Sequence, residues 1–146
     1  LEKQREWLKP EALSLDYSAF TFRCVEEKDN WLEVIVNNEN GKTYWLKKTD
    51  LTIFYSWENY LKEMFGIERI PDQPQKIRTS PNDDSEEIDY EGQDCFVVRS
   101  MKGDWIEITT PGYCDKIFTD FKTPIKTGWI RWREGNKLLI NYFITC

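Results

Sequence analysis

Twenty-six carboxylates, four cysteines and no histidine set the chemistry open to this 146-residue chain. Without histidine, the usual general base of serine, cysteine and metal hydrolases is missing. Cys24, Cys95, Cys114 and Cys146 form no Cys-x-x-Cys pair, so their spacing is poor for zinc and no metal site is expected. None of the four sits in a recognisable nucleophile signature. A pair of carboxylates could serve a glycosidase. Glu33 and Glu107, however, recur at matched positions of a repeat, which a fold explains without catalysis. No glycine-rich phosphate or dinucleotide motif occurs, and no cofactor is expected. The chain is predicted not to be an enzyme.

The other chemistry-bearing residues are aromatic: seven Trp, seven Tyr and eight Phe. Aromatic side chains suit a pleated, half-buried surface and favour strands. In Trp105–Thr110, alternation puts Ile106 and Ile108 on one face and Trp105 and Glu107 on the other. Leu32 and Val34 are opposed in the same way to Trp31 and Glu33. Trp129 shares its face with Arg131 and Arg133. Branched aliphatics should line a core, so these tryptophans point away from it, each beside a charge. Their outward faces await either a ligand or a covering element. Trp31, Trp45, Trp105, Trp129 and Tyr90 are the candidate ligand-binding residues.

The elements that position them read mainly as strands. Residues 1–12 form a short helix or an irregular arm. Phe20, Phe22 and Cys24 alternate with Thr21, Arg23 and Val25, which suits a half-buried strand. Glu26–Asn30 is a polar turn, Trp31–Val36 a strand, and Asn40-Gly41 a hairpin signal leading into Thr43–Lys48. Leu51–Tyr55 reads as another short β run. Ser56 is a helix N-cap with Gly66 as the stop, and Trp57, Leu61 and Met64 give that helix an apolar face. Ile70–Ser85 is a proline-rich break holding one short strand, Lys76–Thr79. Asp94–Met101, Asp104–Thr110, Thr127–Arg133 and Leu138–Ile144 are four further strands.

Self-comparison is the most informative step. Trp31-Leu32-Glu33-Val34 matches Trp105-Ile106-Glu107-Ile108 at an offset of 74, and Phe22 meets Phe96 at the same offset. Tyr44-Trp45-Leu46-Lys47 then matches Gly128-Trp129-Ile130-Arg131 at an offset of 84. The second copy therefore carries about ten extra residues, which hold Cys114 and Asp115–Phe121. Two copies are too few for a solenoid. Two small units fit, residues 1–66 with the arm and helix, and residues 67–146.

The second copy resembles the bacterial SH3-type domain. Ile77-Arg78-Thr79-Ser80-Pro81 is similar to that family's opening strand. Gly103-Asp104-Trp105-Ile106-Glu107-Ile108 is similar to its Gly-x-Trp-Val strand, and Thr127-Gly128-Trp129-Ile130 to its Thr-Gly-Trp-Val. The resemblance covers residues 75–146 in order and 13–56 more loosely, with no opening Arg-x-x-Pro strand in the first copy. It implies a mainly β fold of two tandem SH3-like small barrels with one connecting helix. It also implies a non-catalytic module of the bacterial cell envelope that binds cell-wall peptide, polysaccharide or a protein partner. The alternatives are a structural, inhibitor or immunity-type interaction protein and, less favoured, an enzyme using paired carboxylates.

Net charge is −6, and basic residues are interspersed with acidic ones. Nucleic acid, which needs clustered cations to displace counterions, is not an expected partner. No apolar run approaches the ~20 residues that span a bilayer. The chain begins at Leu1, so a removed targeting segment and an exported location, periplasmic or cell-surface, are expected. Disulfides would suit that location.

Overall fold

The computed structural model describes residues 6–14, 19–72, 74–110 and 127–144. Among the described residues the fold is mainly β with one short helix. It comprises two compact units, Leu1–Phe54 and Tyr55–Cys146. Among the described residues the strands form several small sheets, and none closes into a barrel.

The first unit contains β1 (Ala12–Ser14), β2 (Ala19–Thr21), β3 (Arg23–Lys28), β4 (Trp31–Asn37) and β5 (Lys42–Lys47). β1 and β2 pair as a small antiparallel sheet, and β3-β4-β5 form a meander. Leu32, Val34 and Val36 on one face of β4 are buried, with Leu8 and Phe22 packed on them. The N-terminal arm has no helix among its described residues. Lys9 instead bridges Asn37 in parallel, its N–H donating to the Val36 carbonyl at 2.8 Å. Asn37 anchors both the arm and the turn that follows β4. Buried at the end of β4, its side-chain oxygen accepts from the N–H groups of Glu39 and Asn40 at 3.0 and 3.2 Å. Its amide donates to the carbonyl of Trp7 at 3.3 Å. Gly41 closes this turn at φ 71°.

Three expectations for this unit change. The polar turn expected over Glu26–Asn30 shrinks to Asp29 and Asn30, because Glu26, Glu27 and Lys28 continue β3 and pair with β4. Phe20, Phe22 and Cys24 do not share a buried face: Phe22 reaches the core, whereas Phe20 and Cys24 are exposed. The ladder breaks at Phe22 and a bulge follows Cys24, so simple alternation fails there. Leu51–Tyr55 is not a strand, because no neighbour offers it a ladder; Leu51 is 90% exposed.

The second unit begins with α1 (Trp57–Lys62), where the Ser56 hydroxyl accepts from the Asn59 N–H at 3.2 Å as an N-cap. The helix ends at Glu63, before the anticipated Gly66 stop. Gly66 instead opens β6 (Gly66–Arg69), where it is buried. After β7 (Ile77–Arg78) and β8 (Glu87–Ile88) come β9 (Val97–Lys102), β10 (Trp105–Thr109) and β11 (Gly128–Arg131). β12 (Arg133–Glu134), β13 (Lys137–Leu138) and β14 (Ile140–Phe143) complete the unit. One five-stranded antiparallel sheet runs β8-β7-β11-β10-β9, while β14 pairs with β6 and β12 with β13. Ile67 of β6 also bridges Phe96 through two backbone hydrogen bonds of 2.8 and 2.9 Å.

One core unites these pieces. Ile106, Ile108 and Ile130 from the sheet pack with Ile67, Ile77, Phe96, Trp132, Ile140 and Leu61. Each such side chain contributes roughly 1.5–3 kcal/mol by leaving water. Trp132 interrupts the predicted Thr127–Arg133 strand to enter this core. Its indole N–H is satisfied by the Gly103 carbonyl at 2.9 Å, and its ring meets Trp57 at 5.1 Å. Trp57 and Leu61 thus tie the helix to this unit, and the division falls at 54/55 instead of the anticipated 66/67. The inserted Asp115–Phe121, Cys114 and Cys146 lie outside the described residues.

The repeat holds at the level of hydrogen-bond register. Trp31 pairs with Lys47, and Glu33 with Trp45; Trp105 pairs with Arg131, and Glu107 with Trp129. The bulge after Cys24 has its counterpart opposite the Glu107/Ile108 step, leaving Val25 and Arg99 unpaired at the same place. The β3–β4 turn has Asp29 at φ 53° and the β9–β10 turn has Gly103 at φ 59°. Even the closing bond recurs: Lys48 N–H to Asn30 carbonyl, and Trp132 N–H to Asp104 carbonyl.

Candidate functional site

The outer face of the five-stranded sheet collects the chemistry. Opposite residues in the ladder share a face, and one row crosses all five strands: Ser100, Glu107, Trp129, Arg78 and Glu87. The Ser100 hydroxyl donates to Glu107 at 2.7 Å. Arg78 donates to the Ser85 carbonyl at 2.8 Å and pairs with Glu87 at 3.4 Å. Trp129 therefore lies between a carboxylate and a guanidinium, half-buried, with its aliphatic neighbours Gly128 and Ile130 buried on the opposite side.

Beside this row lies a second group. The Arg131 guanidinium sits over the Trp105 ring, 4.9 Å from its centre, and pairs with Asp83. Stacking of a cation on an aromatic face contributes ~0.5–1 kcal/mol at an exposed site. The hydrogen bond from Arg131 holds the Asp83 carboxyl below its ordinary range, and Asp83 in turn raises Arg131. The backbone beneath is fixed by Gln75. Its side-chain oxygen accepts from the Arg131 N–H at 2.7 Å, and its amide donates to the carbonyls of Arg131 and Leu139 at 2.7 and 3.2 Å. Arg69 steadies Gln75 by donating to its carbonyl at 3.0 Å while gripping Asp94 with two nitrogens.

The first unit repeats the arrangement in reduced form. Trp31, Glu33, Trp45 and Lys47 take the places of Trp105, Glu107, Trp129 and Arg131. Thr43 donates to Glu33 at 2.7 Å, as Ser100 does to Glu107. Trp31 and Trp45 are 46% and 43% exposed, more open than their half-buried counterparts.

No protein-family model, curated protein or solved structure matches this chain. The reading of the site therefore rests on its own geometry.

Of the five candidate residues, Trp105 and Trp129 meet on one face of one sheet, and Trp31 and Trp45 meet on the corresponding face of the other meander. Tyr90 belongs elsewhere. Its ring packs on Phe96 at 5.4 Å at the margin of the core, and its hydroxyl donates to the Gln93 carbonyl at 2.9 Å. A Cβ at Gly92 would lie 2.5 Å from this ring, so a larger residue there would oblige the ring to shift. Asp83, Arg78, Ser100 and Gln75 were not anticipated. Parity on β11 placed Arg131 beside Trp129, but only the fold of the 80–86 loop brings Asp83 to it.

The two cysteines among the described residues differ. Cys95 is buried and disulfide-bonded, whereas Cys24 is free and exposed. Partial burial, and then the charge of Glu27, push the Cys24 thiol above its ordinary value. Among the described residues no three His, Cys, Asp or Glu side chains gather as a metal site, and no helix is long and apolar enough to cross a membrane.

Proposed function

We propose that this chain is a non-catalytic binding module of the bacterial cell envelope, built from two tandem SH3-like units. Its recognition face in the second unit is Trp105, Trp129, Glu107, Arg131 and Arg78. The observation that carries this reading is the row of opposed charges around Trp129, flanked by the Arg131–Trp105 stack. Flat aromatic faces bordered by both signs of charge suit wall peptide or polysaccharide. Rings stack on sugar or proline, while carboxylate and guanidinium take hydroxyls, amines and carboxylates. Repetition of the three-stranded meander with its bulge supports the tandem reading, and the order of motifs over residues 75–146 supports the SH3-like one. The disulfide at Cys95 supports an exported location, where such bonds persist.

Intrinsic tryptophan fluorescence, titrated with muropeptides, wall glycan fragments and proline-rich peptides, tests the proposal. A saturable change that Trp129→Ala removes without altering the melting temperature is the expected result. No response across the panel counts against it.

A second reading, a protein-interaction or inhibitor-type role, draws on exposed Leu51, Ile53 and Phe54. A stoichiometric partner recovered from native extract, lost on substitution of Ile53 and Phe54 by Ser, would favour it.

A further inference from the structure

The two meanders differ at one edge. In the second unit β11 carries β7 on its outer side, through Trp129 opposite Arg78, and the buried Ile77 enters the core beside it. In the first unit β5 has β4 on one side and, among the described residues, no strand on the other. The Lys48–Asn30 hydrogen bond fixes the phase of this ladder. Because bonding pairs alternate, the backbone groups of Leu46 and Tyr44 face β4, and those of Thr43, Trp45 and Lys47 face outward.

Side-chain burial agrees. Ile130 is fully buried, while Leu46 at the matching position is 40% exposed and its neighbour Tyr44 is 43% exposed. Trp7 meets the Tyr44 ring edge-on at 5.8 Å, but among the described residues no strand stands beside Leu46 as β7 stands beside Ile130. Charge narrows what can fill it. β5 reads Lys-Thr-Tyr-Trp-Leu-Lys, with Lys48 following and no acid on the strand. A second copy of β5, paired antiparallel about Trp45, would set Lys42 against Lys48. Pairing about the Tyr44–Trp45 step would set Lys42 against Lys47. Like charges directly opposed destabilise a ladder, and edge lysines discourage self-pairing.

We propose that the outer edge of β5 receives an extended acidic segment of a protein partner by strand addition. Aliphatic side chains of that segment lie opposite Leu46 and Tyr44, and carboxylates lie beside Lys47 and Trp45. The open backbone groups of Thr43, Trp45 and Lys47 supply the hydrogen bonds, and alternate side chains supply the selectivity. This site is separate from the tryptophan face of the second unit and does not depend on it.

The test uses the full chain and two capped peptides matched to β5 in length, one alternating Glu and Val, the other Lys and Val. Calorimetry should show binding of the Glu/Val peptide, with the Lys/Val peptide at least about tenfold weaker. Thr43→Pro removes an outward N–H together with the hydroxyl bonded to Glu33. Thr43→Val, which removes the hydroxyl alone, is its control, and Thr43→Pro should bind about tenfold more weakly than Thr43→Val. Lys47→Glu should reverse the peptide preference, and it serves as the second variant if the proline disturbs folding. Absence of Glu/Val binding, equal binding of both peptides, or full affinity in a folded Thr43→Pro protein overturns the proposal. So does a dimer in sedimentation that Thr43→Pro dissociates, which would make a second copy the occupant.

Discussion

Arg131 lies over the ring of Trp105 while its Nε and one terminal nitrogen hold the carboxylate of Asp83. One guanidinium thus serves an aromatic face and an acid together, which a lysine ammonium could not do with the same geometry. The pair has a definite pH signature. Asp83 is depressed in the folded chain by the Arg131 hydrogen bond, so its contribution is present above the ordinary carboxylate range. That contribution is lost as pH falls through the lowered value. An NMR titration should give Asp83 a midpoint below that of aspartate in a short peptide, and Arg131→Gln should return it upward. Asp83 is exposed, so the melting temperature should hardly move.

The two matched turns should respond oppositely to substitution. Asp29 occupies the left-handed region at φ 53°, where an L-residue is strained, and Gly103 occupies it at φ 59° without penalty. Asp29→Gly should stabilise the first unit by up to about 1 kcal/mol, and Gly103→Ala should cost the second about 1 kcal/mol. No side chain stands in the way at Gly103, so backbone strain alone sets the cost. Chemical denaturation of the two variants measures both.

Ile130 and Leu46 are equivalent by register but not by surroundings. Ile130→Ala should cost ~2–5 kcal/mol, because it leaves a cavity among Ile106, Ile108 and Trp132. Leu46→Ala should cost less than about 1 kcal/mol, since its side chain is still partly in water. Equal losses in denaturant midpoints would mean that the first unit is as well covered as the second.

Reducing agent should act on one class of thiol. Breaking the Cys95 disulfide should lower stability by ~2–4 kcal/mol, read as a fall in the denaturation midpoint. Cys24 is free, and its raised pKa keeps it protonated to higher pH than a peptide cysteine. Its alkylation rate should therefore rise with pH later than that of a model thiol. Its neutral form is favoured on folding, so its contribution to stability holds below the ordinary thiol value and fades as pH rises through the raised one. Cys24→Ser should leave the unfolding transition in place.

Alternation in Trp31–Val36 and Trp105–Ile108 was legible because Leu32, Val34, Val36, Ile106 and Ile108 are buried while the residues between them stay partly in water. That was enough to separate Leu32, Val34, Ile106 and Ile108 from the tryptophans. Ser56 was equally legible, since an N-cap is a local interaction. Three kinds of feature were not. The bulges at Val25 and Arg99 and the break at Trp132 shift the count of two by one residue, and composition does not announce such a shift. Leu51–Tyr55 has strand composition but no partner, which only tertiary structure decides. Asp83, Gln75 and Arg78 reach the tryptophan face through pairings distant in sequence. β6, without an alternating pattern, owes its existence to β14 and the Phe96 bridge.

The seat of Gln75 beneath β11 has a consequence for motion. The Arg131 N–H is held by the oxygen of a side chain and not by a neighbouring strand's carbonyl. Its proton can therefore exchange with solvent when one side chain swings away, while the ladder between β10 and β11 stays closed. Amide exchange at Arg131 would report local opening under the tryptophan face, whereas the amides of Ile106 and Ile130 would report opening of the sheet itself. A ligand that clamps the Arg131–Trp105 stack should slow the first without changing the second.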